Sequence, residues 1–198
     1  MLRVAHFAFV LLGVIHFGAQ AQAHHHDHDH DHDHDNHAHD GHSHNPAAHQ
    51  HGVGHLNLVL DGSQLMIELH TPAEDLLGFE HVPRTPEQRA RTAELQVILK
   101  QPEKLFALPP AARCSLASVE LHSSLFAGPP QAAPEPAGQH ADIQAHYQFS
   151  CAAVQHLQQL DVTLFQQFPG SQRLLLQAIT PNGQYGDELS AIHHRIRL

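Results

Sequence analysis

The stretch LNLVLDGSQLMIEL (56–69) decides the fold, because it specifies two strands and the turn between them. Apolar and polar residues alternate, or nearly so, on both sides of DGS (61–63), as in two half-buried strands joined by a tight turn. A two-residue Gly-Ser loop of type II′ pairs Leu60 with Leu65 and gathers the apolar side chains on one face. A shift by one residue would bring polar side chains onto that face, so the register is well specified.

The same register places two histidines opposite each other on the other face of the hairpin, namely His55 and His70. Side chains directly across a sheet lie close enough to share one ion, and two imidazoles supply half of the four ligands that zinc prefers. Two exposed surface histidines are the alternative. We expect the pair to form the tightest zinc site of the domain, completed by Glu68, by Glu80 or His81 from the following loop, or by a tail histidine or water.

Past the hairpin, the sequence predicts one main helix and several further strands. The motif RTPEQ (84–88) begins a helix with a capping box and a proline at its first position. We expect this helix to extend over 86–100 and to bury Ala90, Ala93, Val97 and Ile98. Further strands are predicted at 114–125 (with an irregularity near Ala117), 140–151, 160–165, 174–180 and 192–198. About six strands with mostly antiparallel connections predict a single α+β domain over 51–198.

The segment HADIQAHYQFSC (140–151) has the most regular alternation in the chain. Its apolar residues face one way, and its polar residues face the other. Most polar sheet faces of this kind simply meet water. Here, however, the polar face carries His140, Asp142 and His146, so we consider it a secondary candidate for a metal site.

The chain has two cysteines, Cys114 and Cys151. An even number of cysteines in an exported chain favours a disulfide. Thiolate ligands for zinc are the alternative, but neither cysteine has a second cysteine or a close histidine at ligand spacing. We therefore expect the two cysteines to be bonded to each other.

A histidine-rich tail precedes the domain, HHHDHDHDHDHDNHAHDGHSHNPAAHQH (24–51). Thirteen of its 28 residues are His and six are Asp, so it has nothing with which to build a core. We expect residues 24–50 to be disordered and to bind metal, although a solvated charged tail and an expression tag are alternatives. The candidate ligands are His24, His25, His26, His28, His30, His32, His34, His37, His39, His42, His44, His49 and His51.

Residues 1–23 are predicted to be a signal peptide, with Arg3 as its basic start and cleavage after Ala21 or Ala23. Either cleavage leaves a histidine as the third residue, an arrangement that can chelate Cu(II) or Ni(II) in a plane. The general order of metal affinities also favours copper and nickel over zinc. The tail alone therefore leaves Cu(II) and Ni(II) open as ligands beside Zn(II).

The composition also disfavours several functions. The domain has nine Lys and Arg against fourteen Asp and Glu, a net charge of −5, which argues against nucleic acid or anionic lipid as a partner. The sequence contains no nucleophile elbow, no phosphate-binding glycine loop and no HExxH helix. We therefore expect a protein that is not an enzyme.

Several motifs are distributed along the domain, namely HGVGHLNLVLDGSQLMIEL (51–69), PAEDLLGFEH (72–81) followed by RTPEQ, the contexts of both cysteines, FPG (168–170) and ITPNGQ (179–184). Together they resemble the ZrgA-like family of histidine-rich, zinc-regulated periplasmic proteins. The resemblance implies zinc binding in the periplasm and action beside an ABC-type zinc importer or its binding protein. Family members often carry a histidine- and acid-rich loop where this chain has the linker GPPQAAPEPAG (128–138).

Two functions follow from this reading. In the first, the tail collects Zn(II) and a firmer site on the domain holds it for delivery to an importer. In the second, the protein is a periplasmic storage or detoxification buffer for nickel, copper or zinc, and the tail does all of the binding.

Overall fold

The computed structural model describes residues 50–126 and 140–198. The predicted signal peptide (1–23), the predicted tail up to residue 49 and the linker 128–138 lie outside the described residues. The hairpin is formed by β1 (Val53–Asp61) and β2 (Gln64–Pro72). Its predicted register is confirmed, since Leu60 pairs with Leu65. Gly62 begins the turn with a φ of 54°, a conformation that favours glycine.

The remaining elements follow in chain order. The helices are α1 (Ala73–Leu77), α2 (Pro86–Leu99) and α3 (Leu164–Gln167), and four short 3-10 turns lie at Pro102–Lys104, Pro110–Ala112, Ser124–Phe126 and Val154–His156. The other strands are β3 (Phe106–Ala107), β4 (Cys114–His122), β5 (Asp142–Cys151), β6 (Gln159–Val162), β7 (Arg173–Thr180), β8 (Gly183–Leu189) and β9 (Arg195–Arg197).

Two sheets organise the described residues. The larger sheet has the strand order β4-β5-β2-β1-β7-β8, and the smaller one has the order β3-β6-β9. The β1–β7 pair is parallel, while the other pairs are antiparallel. The α+β class is therefore confirmed. Strands β3 and β8 were not predicted, because β3 has only two residues and β8 is largely exposed and lacks an apolar alternation.

The core lies against one face of the larger sheet. The apolar residues of the hairpin and of β5 and β7 are buried there. On that side, the ring of Tyr147 lies 5.6 Å from the ring of Phe106 in the smaller sheet, and its hydroxyl donates to the carbonyl of Leu99, at 2.9 Å. The core-side face is thus covered by α2 and the smaller sheet. The opposite face, which we call the open face, carries the polar side chains of β1, β2, β4 and β5.

Helix α2 begins as predicted, with a complete capping box between Thr85 and Gln88. The prediction of its buried face was wrong for Ala90, Ala93 and Val97, which are exposed, whereas Ile98 is partly buried against the core. The residues Thr92, Leu95 and Leu99 are buried, whereas Val97 is 56% exposed. Thr92 fits the apolar side because its hydroxyl donates to the carbonyl of Gln88 at 2.9 Å. In the described ranges, no helix is long and apolar enough to cross a membrane.

The predicted disulfide is confirmed. Cys114 and Cys151 are directly opposite each other at the ends of β4 and β5, and they are bonded. The cross-link closes a loop with a sequence separation of 37 residues. On the chain-entropy model, such a loop stabilises the fold by about 4 kcal/mol. The bond secures the edge strand β4 to its neighbour β5.

Candidate metal centre

Hydrogen bonds to Gly52 fix the backbone next to His51. Gly52 has a φ of 81°, and its N–H donates to the buried Asp75 carboxylate with a 2.7 Å separation. Its carbonyl accepts from the backbone N–H groups of Gln172 and Arg173, at 2.9 and 2.8 Å. Because Gly52 is held on both its N–H and its carbonyl, the adjacent His51 is presented from a fixed backbone.

The loop that carries Glu80 is set by the end of α1. Gly78 closes this helix in the left-handed conformation, with its N–H donating to the carbonyl of Glu74 at 2.8 Å. Phe79 is buried, and Glu80 follows it. On the other side of α1, a Cβ at Gly170 would lie 2.5 Å from the carbonyl oxygen of Asp75. Close packing by the FPG motif therefore helps to place the helix from which Glu80 extends.

His140 reaches the same place from the start of β5. The backbone N–H of Ala73 donates to the carbonyl of Ala141 with a length of 2.9 Å, and Pro72 pairs with Asp142. These contacts place the residues that precede β5 beside the start of α1. His140 is thereby brought next to the loop that holds Glu80.

The three side chains form a compact group of ligand atoms. One donor atom each from His51, Glu80 and His140 lies within 4.8 Å of the other two. His51 Nε2 lies 3.2 Å from Glu80 Oε2, and a hydrogen bond joins His140 Nδ1 to Glu80 Oε1. The side chains of both histidines are 53% exposed, whereas that of Glu80 is 20% exposed. We call this group the three-segment centre.

The electrostatics of the centre keep its carboxylate ionised. Burial raises the pKa of the Glu80 carboxyl, but hydrogen bonds from His140 and His51 outweigh this effect and lower the pKa below its ordinary value. The Asp75 carboxyl behind the centre has a raised pKa, because burial outweighs its hydrogen bonds with Gly52 and Thr71. The centre therefore presents one stable negative charge between two imidazoles.

The donor set fits zinc. Two histidine nitrogens and one carboxylate oxygen are a known zinc ligand set, with a fourth position left for water or an incoming ligand. In a tetrahedral site with bonds of about 2.0–2.1 Å, two ligand atoms lie about 3.3 Å apart. The 3.2 Å separation between His51 Nε2 and Glu80 Oε2 is close to that value. Zinc binding would thus require little movement of these two side chains.

The predicted hairpin pair has the expected placement and a partner that was not predicted for it. His55 and His70 are opposite each other, with ring centroids 6.3 Å apart. Asp142 Oδ2 lies 3.0 Å from His70 Nε2. The pair therefore meets a carboxylate from β5, whereas the Glu80 proposed for it belongs to the three-segment centre.

The other predicted ligands lie apart from both groups. The His81 ring stacks on Phe79 with centroids 5.5 Å apart, and its Nδ1 hydrogen-bonds with the Val82 carbonyl. His146 lies farther along β5, with its ring 5.7 Å from that of His122. Of the predicted secondary site, His140 belongs to the three-segment centre, Asp142 contacts His70, and His146 pairs with Glu68 farther along β5. The ligands His24 to His49 lie outside the described residues.

Sequence reasoning missed the convergence of the centre and the supporting role of Asp75. His51 was predicted as a tail ligand, and Glu80 and His140 were predicted for other groups. The one available signal was the presence of both HG (51–52) and the acidic PAED (72–75) in the same sequence. Nothing in these motifs specifies that they contact each other. Hydrogen bonds between residues 23 positions apart are visible only in the folded chain.

Comparison with known families agrees with this chemistry. The family model described as the ZrgA family zinc uptake protein matches residues 48–198. Among curated proteins, none matches the chain. The match confirms the resemblance inferred from the motifs and covers all of the described residues. A zinc uptake family and a disulfide together indicate an exported protein that handles zinc.

Proposed function

We propose that this chain, which belongs to the ZrgA family of zinc uptake proteins, captures Zn(II) in the periplasm and supports its uptake beside an ABC importer. The observation that supports the proposal most directly is the three-segment centre, where His51, Glu80 and His140 offer three ligand atoms within 4.8 Å. The chain acts as a carrier rather than an enzyme, and zinc is its cargo.

The exposure of the centre suits capture and release. Both histidine side chains are 53% exposed, so an ion can enter and leave without opening the core. Three protein ligands leave one position of a tetrahedral zinc ion for an exchanging group. A histidine of the tail or a ligand of the importer's binding protein can occupy that position, which allows direct transfer of the ion.

The donor set also favours zinc over the alternative cargo. Cu(II) and Ni(II) prefer square-planar or tetragonal sites rich in nitrogen, whereas two imidazoles and a carboxylate suit a tetrahedral ion. A storage or detoxification buffer for nickel or copper would depend on the tail alone. The two functions therefore differ in whether loss of the centre matters.

A binding experiment tests the capture step. Zn(II) is titrated into protein lacking residues 24–50 in competition with a chelating dye, for the wild-type domain and for His140→Ala. Removal of one of three ligands is expected to weaken binding more than about 100-fold, because even partners outside the ligand shell cost 10–100-fold. His156→Ala, at an exposed histidine in the 3-10 turn Val154–His156, is the control. Equal affinities of His140→Ala and the wild type would contradict the proposal.

A growth experiment tests the role in uptake. Cells that lack the protein are expected to grow poorly with a periplasmic zinc chelator and to recover with wild-type protein or His156→Ala. His140→Ala in the full-length chain is expected to recover growth only partly, because the tail still binds zinc. A strain that is sensitive to excess copper or nickel but not to zinc limitation would instead support the storage buffer.

A further inference from the structure

A second group of ligand side chains lies on the open face, on the three adjacent strands β4, β5 and β2. Strand pairing places Glu120 of β4 directly opposite His146 of β5, and His146 directly opposite Glu68 of β2. His146 is therefore flanked by a carboxylate on either side. His122, two residues after Glu120, completes a group that we call the open-face cluster.

The side chains of the open-face cluster lie close to one another. The rings of His122 and His146 have centroids 5.7 Å apart and meet edge to face, at 75°. His122 Nε2 lies 3.8 Å from Glu120 Oε2. Glu68, Glu120 and His146 also line one groove of the surface. The groove gives an ion access to all three side chains from solvent.

A β-bulge turns the β4 residues towards this face. Before the bulge, Leu116 pairs with the buried Phe149. The register shifts between Leu116 and Ser118, and Ser118 then pairs with the outward-facing Gln148. Because side chains alternate along a strand, Glu120 and His122 follow Ser118 onto the open face. Bulges often occur beside functional sites, where they redirect a side chain.

We propose that Glu120, His122 and His146, with Glu68 as a fourth ligand, bind a second zinc ion on the open face. Two imidazoles and two carboxylates meet the four-coordinate preference of zinc. This site goes beyond the proposed function, because it shares no residue with the three-segment centre. It would give the folded domain a capacity of its own for more than one ion.

The second site binds more weakly than the centre. Among the described residues, the centre is the group with three ligand atoms within 4.8 Å of one another. The side chains of His122 and Glu120 are 61% and 70% exposed, so they must be ordered around the ion. Ordering side chains costs conformational entropy. The open-face cluster should therefore fill only after the centre is occupied.

The experiment reads individual histidines in the full-length protein. Diethylpyrocarbonate modifies accessible, metal-free imidazoles, and mass spectrometry measures the modification of each histidine across a Zn(II) titration. We expect zinc to protect His122 and His146 at higher concentrations than it protects His140. His156 should stay reactive throughout, as an exposed histidine on the 3-10 turn Val154–His156.

A charge-neutral variant separates ligand binding from simple burial. Glu120→Gln is expected to raise the zinc concentration for half-protection of His122 and His146 by about tenfold or more, and to leave His140 unchanged. Glu103→Gln, at an exposed position of another surface turn, is the matched control. Circular dichroism checks that the variants fold as the wild type does.

The outcomes are distinct. Reactivity of His122 that is independent of zinc, or protection that Glu120→Gln leaves unshifted, would overturn the second site. Protection of His122 and His146 without protection of His140 would support the second site and count against the three-segment centre as the capture site. Failure of this proposal can therefore be told apart from failure of the proposed function.

Discussion

The hairpin pair and the three-segment centre are two ways of bringing histidines together. His55 and His70 are 15 positions apart on one hairpin, and a single register brings them face to face. The centre takes one ligand from each of three segments, at His51, Glu80 and His140. The hairpin thus brings two imidazoles together over a short length of chain. The three-segment centre instead brings three donor groups together from distant parts of the chain.

The difference matters for metal affinity. A pair of imidazoles leaves half of a tetrahedral shell to be filled from elsewhere, while the centre leaves one position. Strand β5 connects the two groups, since its residue Asp142 contacts His70 and the preceding His140 contacts Glu80. We infer that the centre holds zinc more firmly and that the pair, joined by Asp142, is a neighbouring site of lower affinity.

Deletion of residues 24–50 should have the largest effect on total zinc. The deleted segment carries twelve of the chain's 24 histidines in one continuous tract, so its removal is expected to eliminate most bound equivalents. The domain should remain folded, because the deleted segment has no large apolar residue to place in a core. Equilibrium dialysis counts the zinc, and thermal unfolding checks the fold. Unfolding of the truncated protein would refute the prediction of a disordered tail.

Acid should have the next largest effect on bound zinc, because it should release zinc from the domain. Zinc competes with protons for imidazole, whose ordinary pKa is about 6.5, so affinity falls as the pH drops through that range. Glu80 does not add a proton there. Burial raises its pKa, but hydrogen bonds from His140 and His51 outweigh burial and lower it.

Glu80→Gln gives this prediction a control. In the tail-deleted protein, this substitution should weaken zinc binding at every pH without changing how steeply the affinity falls in acid. A shallower fall in Glu80→Gln would mean that the carboxylate itself titrates with the metal.

Alanine substitutions compare the two groups directly. In the tail-deleted protein, His51→Ala and His140→Ala should each weaken the tightest zinc site more than about 100-fold. His55→Ala and His70→Ala should change that affinity much less and should instead remove a weaker binding event. Isothermal titration calorimetry separates the tightest event from the weaker ones. A larger effect of the hairpin substitutions would reverse our ranking and favour the site that the sequence alone suggests.

The hairpin could be predicted because its information is local. The alternation of Leu56, Leu58 and Leu60 and the Gly-Ser turn leave one register that keeps the apolar face intact. The capping box at Thr85 and the irregularity near Ala117 are also local patterns, and both are present. The buried face of α2 was predicted wrongly because the spacing of its apolar residues is compatible with more than one buried face. Tertiary packing selects between these faces.

The centre could not be predicted because its residues are joined by tertiary contacts. Three of these contacts are the hydrogen bond from Gly52 to Asp75, the close approach of Gly170 to Asp75, and the bond from Ala73 to Ala141. Each involves backbone atoms, which carry no sequence signature. His51, Glu80 and His140 were each predicted to be ligands, but their grouping depends on how α1 packs against the rest of the domain.

Asp75 supports the three-segment centre but not the hairpin pair. Its Oδ1 accepts from the N–H of Gly52, at 2.7 Å, and its Oδ2 accepts from the hydroxyl of Thr71, at 3.2 Å. Asp75→Ala leaves both donors without this acceptor, which should destabilise the domain by about 1–3 kcal/mol. Zinc affinity at the centre should fall by about tenfold, because His51 loses its fixed backbone. The weaker binding event at the hairpin pair should be unchanged.

Asp75→Asn separates the hydrogen bonds from the charge. The amide oxygen still accepts from Gly52, so most of the stability and zinc affinity lost in Asp75→Ala should be restored. Burial raises the pKa of the Asp75 carboxyl above that of an unfolded chain, so ionisation costs stability above the folded pKa. That cost disappears as the pH falls towards about 3.9, the ordinary aspartate value. In metal-free protein, the stability of Asp75→Asn relative to the wild type should therefore be greatest near neutral pH and decline in acid. Urea unfolding at a series of pH values measures this difference, and a difference that grows in acid would show that the Asp75 charge stabilises the fold.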